Sequence, residues 1–415
     1  MSKKSLYPRF LRDRLEESLK DTPVVLIHGP RQCGKTTLAR MEGEQHGYEY
    51  LSFDDDMLRH AASDDPRGFV DKLSDKVILD EVQRVPELFT TIKLSVDQNR
   101  KPGRFILTGS ANILTLPKLA DSLAGRMEIL RLWPLSQSEL LRSKSRFLDK
   151  LFGADFKISS VDRSGSELVE KIVAGGFPAS LARTTARRRA SWYRDYNDTL
   201  ILRDIQDLAR IRHMDALPKL MELVAGQTAQ LLNISKLASP FEISNPTIKE
   251  YVTLLKQLFL VEELKPWFTN RMSRLVKSPK IHMNDTGLAC ALLGLDANSL
   301  NADRSLLGQL LETFVFQELR KLGSWYEDPI AFHHLRGKDG MEVDFILEKQ
   351  GRDVVGIEVK ASATIKSSDF YGLRKVQEAL GKRFKCGIVL YNGDRTVPFG
   401  DGLFSVPISA IWSLS

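Results

Sequence analysis

Nine consecutive residues, Gly29, Pro30, Arg31, Gln32, Cys33, Gly34, Lys35, Thr36 and Thr37, carry the sharpest chemical signal in the chain. They fit the spacing G-x-x-x-x-G-K-[ST], in which two glycines let the backbone wrap a polyphosphate. The helix that follows aims its free N–H groups and positive dipole at the same place. Lys35 would reach the β- and γ-phosphates and the Thr36 hydroxyl would hold Mg²⁺, so ATP and Mg²⁺ are the expected cofactors. Two acids, Asp80 and Glu81, end the short apolar run Val77 to Leu79. Asp80 is expected to share Mg²⁺ with Thr36, and Glu81 to polarise the attacking water. Ser110 ends the run Phe105 to Leu107. It is chosen over Thr108 and Asn112 as the polar group beside the γ-phosphate, provided that its strand lies between the first and the third.

A third group lies near the C-terminus. A turn over 349–353 centred on Gly351 sets Asp344 directly across from Glu358. Strand alternation then puts Glu342, Asp344, Glu358 and Lys360 on one face, and Val343, Phe345, Leu347, Val355, Ile357 and Val359 on the other. Facing like charges repel, and a shared Mg²⁺ or Mn²⁺ would reverse that sign. A strand pair with one wet face explains the alternation equally well, but not the opposed acids. His333 and His334 have no partners at ligand spacing and read as strand residues.

These groups need elements to hold them. Residues 6–20 read as an amphipathic lead-in helix, and Val24 to Ile27 as a buried parallel strand running into the loop. Strands near 50–53, 77–80, 104–108 and 128–132 alternate with helical stretches, which implies a five-stranded, mainly parallel sheet with helices on both faces. Residues 142–165 turn polar and read as a connector. Arg183 and Arg187 to Arg189 precede a helix over 192–208, and such a run reads as a solvated helix face before a nucleic-acid contact. Helices over 217–225 and 234–238, a third opened by Asn245 as N-cap with Pro246 at N1, and strands over 258–264 and 281–283 outline a winged helix-turn-helix. Lys249 and Lys256 on the third helix, with Arg271, Arg274, Lys277 and Lys280 of the wing, would sit on DNA phosphates. Protein docking is the alternative use of that module. The last third reads helix 306–322, strands 325–334, 341–347 and 353–360, helix 368–381 and strand 386–391.

With 415 residues, 42% hydrophobic and 27% charged, the chain is expected to be an ordinary globular protein of two or three domains. A net charge of +7 permits a polyanionic partner without requiring one. Cys33, Cys290 and Cys386 lack metal or disulfide spacing, which suggests a reducing compartment. No apolar segment follows the N-terminal lysines and no run of about 18 apolar residues occurs, so a cytoplasmic protein with no membrane span is expected.

The order of the phosphate loop, Leu79-Asp80-Glu81, Leu107-Thr108-Gly109-Ser110 and Leu123-Ala-Gly-Arg126 resembles the AAA-type ATPases of bacteria and archaea. The segment around Arg126 is similar to the place where clamp-loader ATPases carry an arginine finger. That resemblance implies action in trans and a homo-oligomer, a hexamer being one arrangement; a solvated or salt-bridged arginine is the alternative. Asp344 with Glu358-Val359-Lys360 resembles the PD-(D/E)xK nucleases, with Val343 where the naming proline would stand. This implies that Asp344 and Glu358 bind metal, that Glu312 is an auxiliary ligand, and that Lys360 orients water or stabilises the phosphorane. From Phe10 to Trp412 the chain resembles predicted bacterial and archaeal ATPases whose C-terminal region is classed as of unknown function. The expected fold is α/β: a P-loop AAA-type parallel sheet, a helical lid, a winged helix, and a restriction-endonuclease-like domain. The expected boundaries are 1–141, 142–216, 217–284 and 285–415. The expected function is a Mg²⁺-dependent ATPase that binds nucleic acid, DNA first, with metal-dependent cleavage. The alternative is a nucleotide-operated switch or scaffold whose C-terminal domain only binds a partner.

Overall fold

The computed structural model describes residues 6–110, 123, 125–160, 165–200, 213–267, 278–337, 341–350 and 353–414. Asn112, the end of the helix expected to 208, the basic residues Arg271, Arg274 and Lys277, and Gly351 lie outside the described residues. The chain divides into two compact units, 1–135 with 255–260, and 136–254 with 261–415.

In the first unit β1 (Val24–His28), β2 (Glu49–Ser52), β3 (Val77–Asp80), β4 (Phe105–Gly109) and β5 (Met127–Arg131) form one sheet in the order β2-β3-β4-β1-β5. Every pairing in it is parallel. Strands β1, β3 and β4 are buried along their whole length. That explains why they read as unbroken apolar runs rather than alternating ones: a central parallel strand is covered on both faces. Leu26, Val77, Leu79, Ile92, Phe105 and Leu107 belong to the core. Because β4 lies between β1 and β3, the carboxyl ends of these three strands stand side by side, and the phosphate loop, Asp80 and Ser110 are delivered to one edge. The lead-in helix is Arg12–Asp21, with Leu15 fully buried.

The second unit is built on a mixed sheet. Its strands are β6 (Ser159–Ser160), β7 (Gln230–Leu231), β8 (Val261–Pro266), β9 (Lys280–Met283), β10 (Ile330–Arg336), β11 (Glu342–Lys349), β12 (Asp353–Lys360), β13 (Phe384–Tyr391), β14 (Arg395–Gly400) and β15 (Leu403–Pro407). Their order is β6-β14-β15-β13-β12-β11-β10-β8-β9-β7. The β11–β12 register sets Phe345 opposite Ile357 and Lys349 opposite Asp353. The next pair outward is Asp344 with Glu358, which is the register a turn centred on residue 351 requires.

Three expectations are corrected here. The first turn of helix Asn245–Gln257 is capped by Ser244, whose Oγ accepts the Thr247 N–H at 3.4 Å, and not by Asn245. Helix Arg304–Ser324 runs later than the expected 322, so the following strand begins at Ile330 and not at 325. The hairpin β8–β9, anticipated as a separate wing, pairs through β8 in parallel with β10, so that sheet does not break near residue 284. Strands β14 and β15 were not anticipated.

Candidate functional site

The phosphate loop begins where β1 ends at His28. Gly29 has φ 153°, and a Cβ there would stand 2.0 Å from the Leu132 carbonyl oxygen, so only glycine passes this point. Gly34, at φ 105°, starts helix Lys35–His46 with no side-chain cap. The first helical N–H groups are thereby left for a ligand in the loop to satisfy. Lys35 is buried and its Nζ donates to the carbonyls of Gly29 at 3.0 Å and Pro30 at 2.8 Å. Arg9 pins the loop from behind, donating to the Cys33 carbonyl at 2.7 Å and the Trp133 carbonyl at 2.5 Å. Cys33 is fully buried, and burial pushes its thiol up, which marks an inert packing residue.

Asp80 ends β3 as the acceptor of three hydroxyls. Thr36 Oγ1 donates to its two oxygens at 2.9 and 3.1 Å, the Tyr50 hydroxyl donates at 2.8 Å, and Thr108 Oγ1 donates as well. Glu81 follows in the left-handed region, φ 56°, a conformation uncommon for a residue with a Cβ. Its N–H donates to Thr108 Oγ1 at 3.2 Å, and its carboxylate accepts from Ser110 Oγ at 3.0 Å and from Gln83. Gln83 also donates to Ser110 at 3.0 Å. The two neighbouring acids are thus held by separate sets of donors. Thr36 and Asp80 offer a hydroxyl and a carboxylate in contact, the hard oxygen set that Mg²⁺ prefers, and among the described residues the donors to Asp80 are neutral hydroxyls. These residues fit the expected cation.

Tyr50, Thr108 and Gln83 were missed or passed over as site residues. Tyr50 reads as strand filler until β2 is known to pair with β3, Ser52 opposite Asp80. Arg126 is held within its own chain: Nε donates to Asp97 Oδ1 at 2.6 Å and Nη2 to Oδ2 at 3.1 Å. This is the salt-bridged one of its two readings, and any action in trans would first have to break it. Beside the loop, His28 is buried and lies edge-on to Phe259 at 5.4 Å. Burial, then the charges of Arg131 and Lys35, push its imidazole down to about 3.

In the second unit Glu312, Asp344, Glu358 and Lys360 come together, and two further residues join them. Lys280 of β9 is 3% exposed. Its Nζ lies 2.8 Å from Glu312, 3.1 Å from Glu342 and 3.2 Å from Asp344. The other Asp344 oxygen accepts the Val359 N–H at 3.0 Å, and Lys360 Nζ lies 3.6 Å from Glu358. The reading of Lys280 as a phosphate contact on a wing is therefore corrected: its ammonium points into an acid cluster. Burial and the Asp344 charge, opposed by Lys280, push Glu312 up to about 8. Burial and Asp344 also push Glu358 up, while Asp344, although buried, is held low by Lys280 and its hydrogen bonds. A divalent cation does not fit between Glu312, Glu342 and Asp344 as arranged, because the Lys280 ammonium already occupies the point where their oxygens converge. Among the described residues, the acids and histidines whose ligand atoms all approach within 4.8 Å are Glu16, Glu42 and His46. There too a cation of the protein intervenes, Arg12 Nε lying 2.6 Å from Glu42.

Helix Ala186–Thr199 carries a cleft of about 480 Å³ whose lining includes Arg183, Arg187, Arg188, Trp192, Arg194 and one acid, Asp195. Among the described residues Arg187, Arg188 and Arg194 are exposed and form no ion pair, and Trp192 stacks on Tyr196 at 5.1 Å.

Three stretches of the chain match known domain families. Residues 21–141 match the AAA domain family, residues 165–299 a domain of unknown function (DUF8612), and residues 307–411 another (DUF4143). The uncharacterized protein Rv2008c of Mycobacterium tuberculosis is 29% identical over 401 residues, 96% of this chain and 83% of that protein. An uncharacterized protein of Haemophilus influenzae is 27% identical over 366 residues, 80% of this chain and 81% of that one. The Walker-type ATPase PABY2304 of Pyrococcus abyssi has a TM-score of 0.44 at 16% identity, covering 70% of this chain and 96% of that chain. Residues 21–141 thus form an AAA-type ATP-binding domain. Among the described residues no helix is long and apolar enough to cross a membrane.

Proposed function

We propose that the chain is a Mg²⁺-dependent ATPase whose nucleotide cycle acts on a bound nucleic acid. The observation that carries the ATPase reading is the contact of Thr36 with Asp80, with Glu81 one residue further on and held apart by Ser110 and Gln83. Lys35 and the loop N–H groups bind the phosphates; Thr36 and Asp80 would hold Mg²⁺, which supplies charge neutralisation at the phosphate oxygens. Glu81 takes the proton of the attacking water, and Ser110 and Gln83 act as positioning residues that aim its carboxylate. Glu81→Gln is expected to keep ATP affinity and to lose turnover by roughly 10²- to 10⁴-fold, the range of a positioned base. Nucleotide-binding and phosphate-release assays on the same protein check this, and turnover close to wild type would overturn it.

The nucleic-acid half rests on the arginine cleft. Exposed guanidinium groups that form no ion pair among the described residues, beside the half-buried Trp192, suit a phosphate backbone with a stacked base. Replacing Arg187, Arg188 and Arg194 together by Ala is expected to lower the affinity for labelled single-stranded DNA at least tenfold and to flatten its salt dependence, with ATP turnover in the absence of DNA as the control. A second reading is favoured by Lys280: a nucleotide-operated switch whose C-terminal domain binds its partner without cutting it.

A further inference from the structure

Lys280 and the three acids around it come from three elements. Glu312 comes from helix Arg304–Ser324, Glu342 and Asp344 from β11, and Lys280 from β9, which β8 and β10 separate from β11 in the sheet. Lys280 donates hydrogen bonds to Glu312 at 2.8 Å and Asp344 at 3.2 Å, and its Nζ lies 3.1 Å from a third carboxylate, that of Glu342. The group is therefore surrounded by negative charge while almost wholly withdrawn from water, 3% exposed. Desolvation of a lone ammonium would be prohibitive, and so would that of the acids without it. A divalent cation would need the same oxygens at about 2.0–2.6 Å. It cannot share them with an ammonium at hydrogen-bond distance, because two cations would then meet in a site of low dielectric.

We propose that Lys280 is the permanent cation of this cluster, so that the C-terminal domain of this chain is a metal-free binding fold and its Asp344–Glu358 pair cuts no phosphodiester. The inference extends the second reading above but is independent of ATP turnover, which its test does not use.

The test titrates full-length protein with Mn²⁺, free Mn²⁺ being read by electron paramagnetic resonance, in wild type, Asp344→Asn, Lys280→Met and Lys280→Met/Asp344→Asn. Wild type and Asp344→Asn are expected to bind the same number of ions. Lys280→Met is expected to gain one ion per chain, which the added Asp344→Asn removes. In EDTA the Lys280→Met protein should unfold roughly 5–15 °C lower, because three carboxylates lose their counter-charge, and Mn²⁺ should restore most of the difference. Should Lys280→Met fail to fold, wild type and Asp344→Asn decide by themselves: equal binding supports the proposal. A Mn²⁺ ion held by wild type and lost in Asp344→Asn overturns it. So does a Lys280→Met protein with unchanged thermal stability and no added ion.

Discussion

Asp80 with Glu81 and Asp344 with Glu358 are both pairs of neighbouring acids, one pair in each unit, and they differ in what compensates their charge. Around Asp80 the donors are the hydroxyls of Thr36, Tyr50 and Thr108. They stabilise a carboxylate without neutralising it, so the site still calls for a positive charge from outside. Around Asp344 the Val359 N–H is joined by the buried ammonium of Lys280, which supplies the charge from within. Carboxylates at good spacing are thus necessary for a metal site but do not make one; the compensating group decides whether a cation is needed.

Removing metal should separate the two regions most strongly. EDTA and Asp80→Asn are each expected to lower ATP turnover by about a thousandfold, since metal-supplied charge stabilisation amounts to several kcal/mol. Steady-state phosphate release measures this, and turnover retained in EDTA would break the contrast.

A smaller effect is expected at the other acid. Asp344→Asn keeps an acceptor for the Val359 N–H but takes one of three carboxylates from Lys280. It should destabilise by roughly 2–3 kcal/mol, below the 3–5 typical of breaking an isolated buried pair. Urea unfolding followed at a signal from the second unit checks the value, and a stabilised variant would mean that Lys280 is over-supplied with charge.

The third prediction compares two buried bases. Among the described residues His28 has no carboxylate beside it and burial pushes it down to about 3, whereas Lys280 has three and is held above its ordinary value. An unfolded histidine titrates near 6.5, so between about pH 6.5 and 3 the unfolded chain binds a proton that the folded chain refuses. Stability at His28 is therefore full above about pH 7 and falls as pH drops, by about 2 kcal/mol between pH 7 and 5. His28→Leu should flatten that limb of the thermal-unfolding profile. An unchanged slope would show that the imidazole reaches water.

Much of the first site was legible in the chain. The glycine spacing, the buried apolar runs and the acids that end one of them follow from local rules of backbone freedom and strand burial, and the condition placed on Ser110 was met by β4 lying between β1 and β3. The facing of Asp344 and Glu358 was legible too, because hairpin register follows from where a turn is centred. Lys280 was not. It stands 64 residues before Asp344, after a basic segment, and sequence distance says nothing of which buried group a strand will present. Tyr50, 30 residues before Asp80, escaped for the same reason.

The sequence alone, then, determined the phosphate loop, the order of the parallel strands' chemistry and the two acid pairs, since each depends on residues close in the chain. Only the tertiary structure decided which acids are left needing a cation. That depends on where β9 lays its lysine and how β2 turns its tyrosine, and long-range strand pairing sets both.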